Sequence, residues 1–340
     1  MISFYTYIKK LVPSSLKHTI KQCLGLVPPQ SPLQKIPPEL LDVYDKTEPF
    51  IYNFAQESVA APTIDDLSIT TSSLTKQEFF ETSFFQYWYP QLNYVDTEYK
   101  PNDVFYHRKI WEHIYIIQAF YERNYLANNK RGLGFAVGIE PLPALFAKLG
   151  CQIVATDLNR DNANKLGWIQ SEQHSNNDLS ALNRNNICPP DQFNKHVSFR
   201  NVDMNAIPDD LTDFDFCWSS CAFEHLGSIE QGLAFVINSM KTLKPGGIAI
   251  HTTEYNLSSD TKTIDNNPNF VIFRKQDILK LVQELTTCGY SVLPLDLSTG
   301  NGIIDAFVDL PPYFRKKMHL KLWLNGYVVT SIGLIIRKSE

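Results

Sequence analysis

The sequence predicts an α/β fold built on a mostly parallel sheet, and three observations carry the prediction. From Gly132 onward short apolar strands alternate with amphipathic helices, the pattern of strands joined by helical crossovers. The helices fall at "LPALFAKLG", "SIEQGLAFVINSMKTL" and "KQDILKLVQELTTCG", in the gaps between strands. The stretch "RGLGFAVGIEPLP" (Arg131 to Pro143) opens a strand–loop–helix–strand unit whose second strand ends in Asp157.

Seven strands can be placed in order. They are "LGFAVG", "CQIVATDL" (Cys151 to Leu158), "VSFRNVDM" (Val197 to Met204), "FDFCWSS" (Phe214 to Ser220), "GIAIHTTEY" (Gly247 to Tyr255), "GYSVLPLDL" (Gly289 to Leu297) and "YVVTSIGLIIRK" (Tyr327 to Lys338). Residues 131–340 therefore read as one sheet-based domain. Residues 41–130 read as a helical, aromatic-rich cap or lid. It contains "FFETSFFQYWYPQLNY" (Phe79 to Tyr94) and a helix over His107 to Ala127 with Ile110, Ile114, Ile117 and Tyr121 on one face.

Residues 1–40 are a basic amphipathic segment followed by a proline-rich linker, "VPPQSPLQKIPPE". Lys9, Lys10, Lys17 and Lys21 precede the first acid, Glu39, and the apolar residues follow helical spacing. Such a segment can lie on an anionic membrane surface or pack on its own domain.

Bulk properties bound the function. A hydrophobic fraction of 44% with 20% charged residues is globular composition, so 340 residues can bury a substantial core. A formal charge of -5 and no long basic run exclude nucleic acid as the main partner. The six cysteines lack paired zinc-like spacing and the density of a disulfide scaffold, which predicts a reduced, intracellular chain. No apolar run reaches membrane-spanning length and no cleavable leader is evident, so the expected place is the cytoplasm, with peripheral contact at the inner membrane face through the N-terminus.

The chemistry-bearing residues sit at strand ends. An acid closing the second strand, Asp157, can accept hydrogen bonds from both ribose hydroxyls of a nucleoside, while loop amides meet an anionic group. Asp203, at the end of the third strand, can accept from an exocyclic adenine amine while Met204 packs on the ring. "SSCAFEHLG" follows the fourth strand, and "LKPGG" precedes the fifth with a turn geometry set by proline and glycine.

In this order the glycine loop, Asp157, Asp203-Met204, Glu224-His225 and Lys244-Pro245-Gly246-Gly247 resemble the class I S-adenosylmethionine-dependent methyltransferases, over roughly Arg131 to Lys338. The resemblance implies a Rossmann-like seven-stranded sheet whose last strand runs antiparallel between the fifth and sixth. It implies S-adenosyl-L-methionine as cofactor, held by Gly138, Glu140, Asp157, Leu158, Asp203, Met204 and Ser220. A nicotinamide-binding domain would need G-x-G-x-x-G, and only Gly138 is present. The family's own G-x-G-x-G falls on Ala136, Gly138 and Glu140, and its preceding acid falls on Gly134. Glu140 is thus expected either to replace that acid, facing the cofactor's ammonium, or to cap the next helix.

"LGWIQSEQHSNNDLSALNRNNICPPDQF" (Leu166 to Phe193) reads as an insertion bordering the site, with Trp168, Gln173 and His174 as border candidates. Methyl transfer to a hydroxyl is an in-line displacement that needs a base. His225 is the first candidate, with Glu224 orienting it and Glu254 the alternative; each has a purely structural reading as well. His251 lies on the fifth strand's rim. Asp305 and Tyr313, in "IDAFVDLPPYFRKKMHLKL", combine aromatic faces with carboxylates as sugar sites do. No ligand spacing demands a metal.

The whole chain also resembles bacterial methyltransferases that accompany cell-surface polysaccharide assembly. That implies O-methylation of a sugar hydroxyl in a glycan or glycan precursor. Methylation of a small metabolite or lipid, and cofactor binding without catalysis, stay open.

Overall fold

The structure, a computed structural model, describes residues 52–53, 60–62, 67–94, 103–104, 106–169, 173–175, 178–311, 313 and 318–340. The basic segment and linker of residues 1–40, and the membrane contact expected from them, lie outside the described residues.

The main sheet follows the path of β1 (Arg131–Phe135), β2 (Gln152–Asp157), β3 (Val197–Asn201), β4 (Phe214–Ser220), β5 (Leu243–Asn256), β6 (Ser291–Val292) and β7 (Tyr327–Arg337). Their order across the sheet is β3-β2-β1-β4-β5-β7-β6. Strands β1 to β5 pair in parallel, while β7 runs antiparallel to β5 from Val329 to Arg337, as the sequence led us to expect. Leu322–Leu324 adds a short antiparallel strand to the start of β7.

Among the described residues the α-helices are α1 (Ser83–Trp88), α2 (Arg108–Tyr121), α3 (Leu142–Lys148), α4 (Arg160–Lys165), α5 (Pro190–His196), α6 (Ile229–Ser239), α7 (Lys275–Thr287) and α8 (Ile303–Ala306). Alternate strand residues point to opposite layers, which gives two cores. Ile153, Phe216, Trp218 and Ile250 face α2 and α3; Leu133, Phe135, Cys217 and Ala249 face α6 and α7.

The sequence expectation fails in two places, each for a physical reason. The sixth strand is not one run from Gly289 to Leu297. Pro294 has no amide to donate, so hydrogen bonding to β7 ends with the Leu293 amide on the Ile335 carbonyl, and the chain turns to pair Leu295–Asp296 with Ser72–Ser73 in parallel.

The second difference concerns the expected lid. Helix α2 is buried on almost every side, not along one stripe. It lies between the sheet and the aromatic segment: Tyr115 fills the space over Gly333 of β7, where a Cβ would come within 2.3 Å of its ring. Trp88 of α1 donates its indole N–H to Gln118 at 2.8 Å. Residues 67–94 and 106–130 thus share the core of the sheet domain, and α2 is placed to supply side chains to whatever lies above the sheet. No helix among the described residues is long and apolar enough to cross a membrane.

Candidate active site

A cavity of about 520 Å³ opens beyond the carboxyl ends of β1 to β4, where open α/β sheets carry their ligands. Ala136 to Pro141, after β1, line it together with Asp157 and Leu158 after β2. Val202 to Asn205 follow β3, and Ser220 to Ala222 with His225 and Leu226 follow β4.

The loop after β1 keeps a glycine-loop shape with one glycine. Ala136 sits at φ +48°, the left-handed conformation that usually calls for glycine and costs an L-residue about 1–2 kcal/mol. Gly138, at φ +50°, cannot be replaced without collision, since a Cβ would lie 2.4 Å from the Gln173 carbonyl of the insertion. Its amide donates to Asp157 Oδ2 at 3.0 Å, and the Leu158 amide donates to Oδ1 at 2.8 Å. One carboxylate therefore fixes both loops. Burial raises its pKa from the ordinary Asp value, opposed by His174 and by these two amides. His174 lies 4.0 Å from Asp157 Oδ2 and donates its Nε2 proton to the Leu158 carbonyl at 2.9 Å.

Gly134 explains how Glu140 is held. A Cβ at Gly134 would come within 2.5 Å of the Trp218 ring, so the missing side chain is what admits the indole. Trp218 in turn donates Nε1–H to Glu140 Oε1 at 2.6 Å. Of the two readings of Glu140, helix capping is not made: α3 starts after Pro141, without a side-chain cap. Burial pushes the Glu140 carboxyl up to about 8, with Asp157 and Glu112 adding to the rise and Trp218 and Lys109 opposing it.

On the far side Met204 is buried against the cavity, and Asp203, exposed, accepts from the Asn205 amide at 2.9 Å. His225 lines the cavity with its side chain about a quarter exposed. Its Nδ1 lies 2.5 Å from the Asn269 carbonyl, which can only accept, so Nδ1 carries the proton and the neutral ring keeps a lone pair on Nε2. Trp168 packs edge-on against the ring at 4.6 Å between centroids.

A buried polar network lies beneath the floor. Arg108 donates to Glu254 at 2.5 Å and to Glu112 at 3.3 Å. Burial works against its charge, yet these acids keep the guanidinium protonated. Burial alone would raise Glu112, but Lys109 and Arg108 hold it down at about 2. Glu112 also accepts from Ser220 and from the Cys221 thiol, at 3.1 Å and 3.0 Å.

The structure separates several residues that the sequence grouped at the site. Glu254 and Glu224 are not among the described cavity-lining residues: Glu254 is taken by Arg108, and Glu224 is buried, accepting from Thr253 at 2.9 Å. Burial raises the Glu224 pKa, His225 opposing and Glu254 adding. His251 and Glu254 do not share a rim, because residues three apart on a strand face opposite layers. His251 is enclosed between Ser219 at 2.9 Å and Ser239 at 3.0 Å, and burial lowers its pKa to about 3.

Asp305 and Tyr313 are likewise internal. Tyr313 donates to the Trp323 carbonyl at 2.6 Å. Asp305 accepts the Gln77 amide at 2.8 Å and the Gly302 amide at 2.9 Å, clamping α8 to the aromatic segment. Replacing Asp305 by alanine is expected to cost about 2 kcal/mol, the loss of a charged acceptor from two backbone amides. Denaturant melts should show that loss while cofactor affinity stays unchanged; a selective loss of affinity would return Asp305 to the site.

Other cavity-lining residues were not anticipated. Lys109 and His113, one helical turn apart on α2, line it together with Tyr94, whose hydroxyl lies 2.5 Å from His113 Nδ1. Burial lowers the His113 pKa to about 4 and lifts that of Tyr94 well above its ordinary value. Arg184 and Asn185 come from the insertion. Asn93 and Asn185 tie the two roofing segments together: Asn93 donates to the Asn185 carbonyl at 2.6 Å and Asn185 to the Leu92 carbonyl at 3.0 Å. The i, i+4 spacing of Lys109 and His113 was the available signal, masked by the apolar residues around them.

No family model and no curated protein matches the chain. Among solved structures it is similar in outline to the magnesium protoporphyrin IX methyltransferase of Synechocystis PCC 6803 with bound SAH, at 11% identity over 77% of this chain and 98% of that one, TM-score 0.42. It is also similar to an S-adenosylmethionine dependent methyltransferase of Mesorhizobium loti, at 12% identity over 62% and 92%, TM-score 0.38. A third is the glycopeptide N-methyltransferase MtfA, at 13% identity over 62% and 89%, TM-score 0.38.

Proposed function

We propose that the protein transfers a methyl group from S-adenosyl-L-methionine to a hydroxyl of a small acceptor, with a sugar in a glycan or glycan precursor as the acceptor class. The observation that carries this reading is the placement of Asp157, Glu140 and Asp203 around one cavity at the carboxyl ends of β1 to β3.

This donor set fits the cofactor piece by piece. Asp157 suits a ribose diol, Asp203 with Met204 suits an adenine edge and face, and Glu140 suits the ammonium of the methionine part. The bound cofactor would supply an electrophilic methyl on a sulfonium. The chain's own work is to orient, to exclude water and to accept a proton. Trp168 and Tyr94 give the outer cavity aromatic faces for a sugar ring, and Asn185 gives it an amide. His225 Nε2 is the group placed to take the hydroxyl proton.

The test is calorimetric titration with S-adenosylhomocysteine across pH, followed by transfer of a labelled methyl group to a host extract. Below about 8 the Glu140 carboxyl holds its proton, and an ammonium partner favours the ionised form. Binding must then release a proton, so affinity should rise from pH 6 towards 8, by up to about tenfold per unit. Above that range Glu140 is already ionised in the free protein, so binding releases no proton and the gain ends. Glu140→Gln should flatten the rise. Absence of binding at millimolar ligand would overturn the reading.

A further inference from the structure

We infer that the acceptor carries an anionic group, a carboxylate or a phosphate, recognised by Lys109 and Arg184. The inference rests on the proposed methyl transfer, because it begins from the groups that reaction leaves unused.

Three acids, Glu140, Asp157 and Asp203, are found among the described cavity-lining residues, and each has a part of the cofactor to meet. The basic residues have no such assignment. Lys165 stands on α4 beside Leu166, on the side of Asp157. Lys109 and Arg184 line the same cavity as Tyr94 and His113. Lys109 and His113 share a face of α2, and Arg184 is close enough to Tyr94 to act on its ionisation. Once the three acids are engaged, Lys109 and Arg184 remain as positive side chains at the cavity, within a chain whose net charge is -5.

The site is also built. The Lys109 ammonium lies 3.4 Å from Glu112 Oε2, its side chain about 40% exposed, so the carboxylate holds the charge at the cavity without enclosing it. Glu112 is fixed from behind by Arg108, Cys221 and Ser331. Arg184 follows the short helical turn Leu179–Asn183, and Asn185 beside it is bonded to the 92–93 segment. Beside the Glu112 carboxylate that pairs with Lys109, Tyr94 and His113 add no charge: Tyr94 retains its proton, and His113 is a neutral imidazole at pH 7. A fork-shaped guanidinium and a point-charge ammonium lining one cavity suit a carboxylate or phosphate better than a neutral hydroxyl array.

The experiment loads the protein with S-adenosylhomocysteine and titrates glucose, glucose 1-phosphate and glucuronate, with inorganic phosphate and acetate as the anionic groups alone. Both sugar anions, or one of them, should bind at concentrations where glucose does not, and binding should weaken with added salt. The tighter of the two identifies phosphate or carboxylate as the recognised group. Lys109→Gln and Arg184→Gln should each weaken that binding by about tenfold, and Arg184→Gln should keep S-adenosylhomocysteine affinity within about twofold, which also shows that variant folded.

Equal binding of glucose and its anions would overturn the inference. So would a loss of S-adenosylhomocysteine affinity in Arg184→Gln, which would place that guanidinium on the cofactor's own carboxylate. If wild-type protein fails to bind S-adenosylhomocysteine, the methyl-transfer reading falls. The same anion titration on the unliganded protein then decides the anion site independently: Lys109- and Arg184-dependent binding upholds it, and its absence removes it.

Discussion

Asp157→Ala is expected to lower S-adenosylhomocysteine affinity by about 100-fold or more, measured by calorimetry at pH 7.5. The carboxylate has two tasks that alanine abolishes together. It holds the Gly138 and Leu158 amides at 3.0 Å and 2.8 Å, which fixes the loop after β1 against the end of β2. It also keeps lone pairs directed at the cavity for a diol. Hydrogen bonds to a charged group are worth about 1.5–3 kcal/mol each, so losing a diol's pair corresponds to roughly two to four orders of magnitude. Asp157→Asn keeps one oxygen acceptor and should lose less. The Gly138 backbone at φ +50° has no other described anchor of this kind to restore the loop. A loss of threefold or less in the alanine variant would mean that Asp157 serves the loop alone.

The parts of this site that sequence made legible are those fixed by one local rule each. Apolar runs of strand length located β1 to β5 and β7, and Asp157 stood out because it closes such a run. The altered loop could be read only as a departure. Its compensation joins residues far apart in sequence: Gly134 admits Trp218, and Trp218 holds Glu140. No periodicity reports that contact. Helix α2 hid its functional face for a different reason. Its polar residues sit among apolar ones on a helix buried on both sides, so Lys109 and His113 look like interruptions of a core helix until the cavity shows what they face. The reading of Asp305 and Tyr313 as a sugar grip failed because composition does not distinguish a carboxylate that faces a ligand from one that clamps backbone amides.

His225→Ala is expected to reduce methyl transfer by about 10²- to 10⁴-fold, the range that a positioned base contributes, with S-adenosylhomocysteine affinity within a few-fold of wild type. Among the residues first considered for the base, the structure leaves this one best placed. Glu254 is engaged by Arg108, and Glu224 is buried against Thr253. His225 lines the cavity, and its Nδ1–H on the Asn269 carbonyl dictates which nitrogen can accept a proton. As Nε2 gains that proton, Glu224 Oε1 lies 3.9 Å away and can stabilise the imidazolium, a role that does not require Glu224 to reach the acceptor. Glu224→Gln should therefore lower turnover less than His225→Ala, because it removes only a neighbour of the ring and not the proton acceptor itself. Both variants can be compared with wild type using methyl-labelled cofactor and the same host extract. Equal losses of turnover and of cofactor affinity in His225→Ala would assign the ring, with Trp168 packed against it, to holding the cavity wall instead of moving a proton.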